Sequence, residues 1–211
     1  MLFRSVVFMV LSPDEKCEIF KNELALIFDS NVRQFTALCL SMSPDYIFYD
    51  APASTSGKYH HISELGGDGT VIHTKRVVTV AFDLSRGLSC EHNRDLIISA
   101  CILHDMRKQG VEKSGHTVKW HPDLGAKLVA EVYFDTYIIP EQQYNIIRNC
   151  VGYHYGPWSI KPWLKPLHTY TPEEMCVYLS DYVASKKTLT VQYEDRRSEE
   201  HTSELQSPNT I

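Results

Sequence analysis

The sequence predicts an all-α protein, a helical bundle interrupted by one long loop, and three observations lead to this prediction. Apolar residues recur at helical spacing over most of the 211-residue chain. Two capping boxes, Ser12-Pro-Asp-Glu15 and Thr171-Pro-Glu-Glu174, mark the starts of helices. The composition, 43% hydrophobic and 22% charged, is typical of one soluble globular domain.

The N-terminal part of the chain predicts two helices. The first, over residues 13–29, follows the capping box and has proline at its first position. The second, over residues 31–42, carries Val32, Phe35 and Leu38, and it ends before Pro44 because proline disfavours helical backbone in the preceding residue. Residues 1–43 are therefore expected to form helices that pack on the rest of the core.

Residues 43–70 break the helical pattern. Small and helix-breaking residues dominate this stretch, and no apolar period is sustained in it. Loops of this length in compact domains are usually functional or disordered, and Lys58, Tyr59, His60 and His61 favour a function here. The glycines are weak evidence for phosphate binding, because neither a GxGxxG nor a P-loop pattern is present.

The second half of the chain predicts five further helices. The polar, glycine-containing residues 106–120 form a connection between two of them. The expected helices span residues 71–87, 91–103, 121–135, 140–154 and 172–186.

The ends of the chain are set apart from the fold. Residues 197–207 are identical to an in-frame translation of a common sequencing-library adapter, and residues 2–5 match its reverse-strand end over a shorter stretch. We interpret residues 197–211 as an artefactual, disordered tail; a genuine polar tail is the alternative, and the fold argument is the same for both.

Charge and cysteine content exclude several classes of protein. A formal net charge of -5 argues against stable binding of duplex nucleic acid, whose phosphates require a basic surface. The six cysteines are far apart and form no CxxC pair, which predicts reduced core residues of a cytoplasmic protein. The apolar residues 6–11 are too few to span a bilayer, so no membrane association is expected.

Histidine and aspartate residues occur at or near the ends of several predicted helices. The pair His104-Asp105 ends an apolar run, and Asp181 lies between apolar residues, so each side chain would be buried without compensation. A divalent cation would compensate them, and helical bundles gather such ligands from facing helices. The predicted metal ligands are His73, His104, Asp105, His121, His154 and Asp181.

These residues resemble a known family. His73, the doublet His104-Asp105 and Asp181, in this order and at about these separations, resemble the HD superfamily of metal-dependent phosphohydrolases, which are all-helical. The doublet continues to Lys108 in the HDxxK form, and residues 52–75 are similar to small phage and bacterial HD proteins. The resemblance covers residues 44–186 and implies an HD-type metal-binding domain over residues 44–196, a helical bundle with a long loop before the first ligand helix.

A second resemblance concerns the number of metal ions. His121-Pro-Asp-Leu-Gly125 is similar to the HPxxG segment of HD proteins that hold a second metal, including cyclic-dinucleotide phosphodiesterases. His154 falls where those proteins place another ligand. The GYP signature of the phosphodiesterases is not found, which argues against cyclic-dinucleotide hydrolysis and leaves a two-metal centre as the expectation.

The resemblance implies a mechanism and roles for these residues. Asp105 would bridge one cation, held with His73, His104 and Asp181, to a second cation held by His121 and His154. Water activated there would attack phosphorus. The predicted catalytic residues are Asp105, Lys108 and Lys58, and the predicted phosphate-binding residues are Lys58, His60, Arg107 and Lys108. The alternative for the cationic residues is a solvated loop surface.

The sequence says less about the identity of the metal and of the substrate than about the ligands. Imidazole and carboxylate ligands do not discriminate sharply among Fe, Mn, Zn and Mg, although a histidine-rich site favours the transition metals. A small phosphorylated molecule, a nucleotide or a short oligonucleotide, is the expected substrate, in the host cytoplasm if the protein is phage-encoded. The aromatic residues Tyr153, Tyr155, Trp158 and Trp163 predict either a stacking wall for a base or a packed lid, and the lid is favoured.

Two other functions stay open from the sequence. One is a non-catalytic HD module that binds a nucleotide and uses the metal structurally. The other is an oxygenase with two irons, since some HD proteins oxidise their substrate. The intact ligand set together with Lys108 favours hydrolysis over the inert module.

Overall fold

A computed structural model describes residues 10–58 and 60–192 of the chain. This part contains nine α-helices and no β-strand, which confirms the predicted all-α class. Short 3-10 turns lie at Ile62–Glu64, Glu91–Asn93, Gly156–Trp158 and Leu167–Thr169. The helices are α1 (Pro13–Ile19), α2 (Lys21–Ala25), α3 (Ser30–Ser41), α4 (Tyr46–Tyr49), α5 (Gly69–Gly87), α6 (Arg94–Leu103), α7 (His121–Thr136), α8 (Glu141–Tyr153) and α9 (Pro172–Ala184).

The N-terminal helix is shorter than its apolar pattern predicts. The structure has two helices, α1 and α2, in place of one helix over residues 13–29. The chain leaves helical geometry at Phe20, which has φ -111° and ψ 22° and is completely buried. The break therefore places the Phe20 ring in the core, and this tertiary contact overrides the local helical pattern.

Helix α6 lies at the centre of the bundle. Its residues from Leu96 to Leu103 are all buried, and it contacts α3, α5, α8 and α9. A helix that is apolar on every side is stable only when other elements surround it. The C-terminal end of α6 is therefore buried in the bundle, and His104 and Asp105 follow it there.

The N-terminal helices share this core. Helix α3 packs on α6, and the hydroxyl groups of Thr36 and Ser99 are 2.7 Å apart in this contact. Phe20, Phe35 and Leu40 belong to the same hydrophobic cluster as α6. The boundary between residues 43 and 44 stays a prediction, and the expected tail over 197–211 lies outside the described residues.

The predicted loop at 43–70 is folded against the start of α5. Backbone hydrogen bonds join Ala51 N to Gly67 O (2.7 Å), Thr70 N to Ala51 O (2.8 Å) and Ala53 N to Glu64 O (2.9 Å). A Cβ on Gly69 would lie 2.0 Å from the Glu64 carbonyl oxygen, so only glycine permits this approach. The loop is thereby held next to His73 on α5.

No helix in residues 10–58 or 60–192 is both long and apolar enough to cross a membrane.

The capping box of α9 offers a first test of the fold. The Thr171 hydroxyl accepts a hydrogen bond from Glu174 N, and the Glu174 carboxylate accepts one from Thr171 N. We expect Thr171→Ala to lower the free energy of unfolding by about 1 kcal/mol, because the helix start loses this cap. Denaturant unfolding measures the change. Thr188→Ala, at an exposed position outside the helix, is the control, and equal losses in both variants would contradict the prediction.

Candidate metal centre

The structure brings the six predicted ligands together. His73 lies on α5, His104 and Asp105 follow α6, and His121 begins α7. His154 follows α8, and Asp181 lies on α9. The four imidazole rings and the Asp105 carboxylate are at most 2% exposed, and the Asp181 side chain is 20% exposed. Five helices and their ends therefore contribute to one buried polar centre.

A first ligand group consists of His73, His104 and Asp181. Their closest ligand atoms all lie within 4.8 Å of one another. Asp181 Oδ1 lies 2.9 Å from His73 Nε2 and 4.0 Å from His104 Nε2. Two imidazole nitrogens and a carboxylate oxygen thus face a common point.

A second ligand group consists of Asp105, His121 and His154, and its ligand atoms also lie within 4.8 Å. Asp105 Oδ1 lies 3.4 Å from His121 Nε2 and 3.8 Å from His154 Nε2. The other oxygen, Oδ2, lies 3.4 Å from His104 Nε2, in the first ligand group. Asp105 is therefore placed between the two groups with one oxygen toward each.

Backbone carbonyls determine the tautomers of three imidazoles. The Nδ1 atoms of His104, His121 and His154 lie 2.7, 2.7 and 2.6 Å from the carbonyl oxygens three residues earlier in the chain. A carbonyl only accepts, so each Nδ1 carries the proton and each Nε2 presents a lone pair. The Nε2 atoms of His121 and His154 are 3.1 Å apart, and these two lone pairs repel each other unless a cation lies between them.

Two further atoms lack hydrogen-bond partners within the described part of the chain. His104 Nε2 and Asp105 Oδ1 are buried, and neither makes a hydrogen bond. Burying such groups unpaired costs free energy, whereas a coordinated cation satisfies both. The donor set therefore fits one or two divalent cations.

Protonation states agree with this ligand set. Burial, together with His121 and His104, lowers the pKa of His154 to about 3. Burial also lowers the pKa of His121. Both rings are thus neutral near pH 7, the form that binds metal. Burial alone would raise the pKa of Asp105, but the Lys108 ammonium and the neighbouring imidazoles outweigh burial and lower it, so that carboxylate is ionised.

His73 differs from the other three imidazoles because a carboxylate lies near each of its nitrogens. Its Nε2 faces Asp181, and its Nδ1 lies 3.5 Å from Glu64 Oε2. Burial disfavours the imidazolium, but the hydrogen bond to Asp181 and the nearby Glu64 carboxylate outweigh burial and raise the pKa of His73 to about 9. The surroundings of His73 therefore stabilise positive charge.

Lys108 is a cation in direct contact with the ligand groups. Its Nζ lies 2.5 Å from Asp105 Oδ2, and the residue is 7% exposed. Burial alone would lower the pKa of Lys108, but the Asp105 carboxylate outweighs burial and raises it. Lys108 is therefore a permanent positive charge beside the shared carboxylate.

A cavity of about 490 Å³ opens above the two ligand groups. Asp105, His121, His154 and Asp181 line its floor together with Lys108. The folded loop contributes hydroxyl-bearing and imidazole side chains on one side, namely Ser54, Thr55, Ser56 and His60. The centre is thus accessible to a small molecule.

Two residues that were predicted to bind the substrate phosphate lie outside the cavity lining. Arg107 is buried and does not line the cavity, because its guanidinium forms two hydrogen bonds to the Glu131 carboxylate at 3.0 and 2.5 Å. Lys58 is exposed and is likewise not part of the cavity lining. The short-range motif placed Arg107 next to the doublet, but the turn after α6 directs its side chain toward α7.

The aromatic residues after His154 divide into two sets. Trp163 is 5% exposed and donates a hydrogen bond to Asp123, so it belongs to a packed region, as the sequence favoured. Tyr155, Trp158 and Tyr182, here called the aromatic wall, line the cavity instead. Trp158 and Tyr182 stack with an interplanar angle of 8° and are 55% and 41% exposed.

Glu64 is a residue of the site that the sequence did not single out. It is completely buried, and it forms a third group of possible ligands with His60 and His73. Its only sequence signal was a spacing of four residues from His60, in a loop without an apolar period. The folding of that loop against α5 could not be inferred from the pattern.

Comparison with known proteins agrees with the site. A family model described as HD domain matches residues 70–186. This match includes all six predicted ligands, from His73 to Asp181. No curated protein and no solved structure matches the chain at a significant level. The family match spans more than half of the 211 residues, and the chain therefore belongs to the HD-domain family.

Proposed function

We propose that this protein is a metal-dependent phosphohydrolase that cleaves a phosphoester. One observation carries the proposal: the Asp105 carboxylate is shared between two imidazole groups, on the floor of a cavity that also contains the Lys108 ammonium. This arrangement suits a reaction in which negative charge develops on phosphate oxygens.

The two ligand groups support a proposal for the metal-binding residues. His73, His104 and Asp181 would hold one cation, His121 and His154 a second, and Asp105 would contact both. When bound, the cations supply Lewis acidity toward the phosphate and toward a water nucleophile. The mixed imidazole and carboxylate donors suit Fe, Mn or Zn better than Mg.

The protein's own side chains prepare the site for an anion. Lys108 acts as a point charge at the cavity floor, where burial limits its screening by solvent. The three carbonyl contacts hold His104, His121 and His154 in one tautomer, so their lone pairs stay directed into the centre. The substrate phosphate would therefore meet a preorganised site.

The aromatic wall supports a nucleotide as the substrate. Trp158 and Tyr182 are partly exposed aromatic residues, and they line the same cavity as Lys108 and Asp105. Aromatic rings bind any of the nucleic-acid bases by stacking. The cavity of about 490 Å³ has the size of a small-molecule site. A nucleotide could place its phosphate at the metal centre and its base against the wall.

Substitution of Trp158 tests the nucleotide. We expect Trp158→Ala to raise the KM for a nucleotide roughly tenfold, since stacking contributes on the order of 1–3 kcal/mol per base. The KM for ribose 5-phosphate, which has no base, should stay unchanged. Steady-state phosphate release measures both values. An equal rise for the two substrates would contradict a base-stacking role.

The function itself is tested by metal analysis and a substrate screen. The purified protein should contain a transition metal and should release phosphate from at least one of a panel of nucleotides and short oligonucleotides. The reaction should proceed equally with and without oxygen. Absence of metal binding or of phosphate release would overturn the proposal, and turnover that consumes oxygen would identify an oxygenase instead.

A further inference from the structure

Glu64 connects the folded loop to the metal centre through three contacts. Its Oε1 pairs with the Arg76 guanidinium, one helical turn after His73 on α5. Its Oε2 accepts a hydrogen bond from His60 Nδ1 at 2.6 Å and lies 3.5 Å from His73 Nδ1. The carboxylate is therefore anchored on one side and faces two imidazoles on the other.

His73 is the only one of the four imidazole ligands with a carboxylate behind it. His104, His121 and His154 each donate from Nδ1 to a neutral backbone carbonyl in their own segment. His73 lies within α5, where the backbone carbonyls are engaged in the helix, and its Nδ1 makes no hydrogen bond but faces Glu64 Oε2 at 3.5 Å. Its orientation thus depends on a side chain from a separate segment.

The position of Glu64 is itself fixed by neighbouring residues. Arg76 also donates to Leu189 O at 2.8 Å, so the guanidinium is fixed from two directions. The carboxylate is therefore fixed by Arg76 and His60, and its Oε2 is directed toward His73 Nδ1.

We infer that Glu64 is a positioning residue that orients His73 and thereby strengthens the first ligand group. A carboxylate behind a ligating imidazole fixes its ring and raises its basicity, and loss of such partners commonly weakens metal binding about 10- to 100-fold. Only His73 in the first group contacts Glu64, so the effect is confined to that group. The inference rests on the proposed metal centre.

The test uses cobalt as the probe and the full chain as the protein. Stepwise titration of the metal-free protein, followed by visible absorption, resolves the binding steps. Asp181→Asn identifies the step that belongs to the first ligand group. We expect Glu64→Gln to weaken the same step about 10- to 100-fold and to leave the other step unchanged.

Two further variants separate positioning from a structural effect. Glu23 is also a buried carboxylate paired with a cation of α5, because it lies 3.0 Å from Lys75 Nζ, but it does not contact His73. Glu23→Gln should lower the melting temperature without changing cobalt affinity. Glu64→Asp keeps the negative charge, but its side chain is one methylene shorter. This variant should weaken the same binding step as Glu64→Gln, and it provides the test if Glu64→Gln does not fold.

Distinct outcomes overturn distinct claims. A wild-type protein that binds no cobalt overturns the proposed function. Wild-type binding with equal affinities in Glu64→Gln and Glu23→Gln overturns the positioning role of Glu64. A third equivalent of cobalt that is lost in Glu64→Gln would make Glu64 a ligand together with His60 and His73, and it would also overturn the positioning role.

Discussion

Replacing Asp105 with asparagine is expected to reduce metal-dependent phosphate release roughly 10³-fold, which corresponds to a loss of about 4 kcal/mol of transition-state stabilisation. The physical reason is that one carboxylate serves both ligand groups. Asp105 Oδ2 faces His104 and its Oδ1 faces His121, and a neutral amide would hold a cation at either group less strongly than the carboxylate would. Initial rates at saturating substrate measure the change.

Metal content should fall together with activity in Asp105→Asn. Elemental analysis after gel filtration is expected to find less than one equivalent of metal per chain. A chelator should lower the melting temperature of the wild type but not of the variant, since only a bound ion stabilises the folded state by mass action. These readouts do not depend on knowing the substrate.

A neighbouring carboxylate provides the control for Asp105. Asp123 lies on α7 near the centre, but it binds Trp163 and Lys127 and is not a member of any ligand group. Asp123→Asn should keep both its metal and its activity. Full metal content in Asp105→Asn would contradict the shared-carboxylate arrangement.

Replacing Gly152 with alanine is expected to lower the free energy of unfolding by about 3 kcal/mol through overpacking. A Cβ at this position would lie 2.0 Å from a ring carbon of Trp163. That ring cannot move away easily, because Trp163 is 5% exposed and its Nε1 donates to Asp123 Oδ1 at 3.0 Å. Arg148 also covers the ring, with its guanidinium carbon 4.9 Å from the centroid. Denaturant unfolding measures the loss.

The same substitution elsewhere in the fold should have the opposite sign. Gly87, at the end of α5, has nothing within 4 Å of an added Cβ. Gly87→Ala should raise the free energy of unfolding by about 0.5–1 kcal/mol, because alanine restricts the unfolded chain more than glycine does. Similar effects of the two substitutions would contradict the packing argument.

A double substitution tests the contact itself. In a Trp163→Leu background the smaller side chain leaves room for the added methyl group. Gly152→Ala should then cost less than about 0.5 kcal/mol, so the two changes should not be additive. If Gly152→Ala alone prevents folding, the stability of the double variant compared with Trp163→Leu still tests the contact.

The sequence by itself determined the fold class, and it predicted the candidate ligands. Apolar spacing and capping boxes are local properties of the sequence. The two capping boxes predict helix starts at Pro13 and Pro172, and the structure has helices that start there. The six candidate ligands were predicted as a set, because a single histidine near a helix end is usually a capping or surface residue, whereas several such residues at the ends of different apolar helices can share one cation. Their order also carried the resemblance that the family match supports.

Only the tertiary structure decided which side chains surround those ligands. The break at Phe20, the turn that directs Arg107 toward Glu131 and the exposure of Trp158 depend on contacts between segments far apart in the chain. Glu64 is the clearest case, because its loop has no periodic pattern and reaches His73 through backbone contacts around Gly69. Periodicity reports which face of a helix is buried, whereas the partner of a polar side chain in a loop is determined by long-range packing.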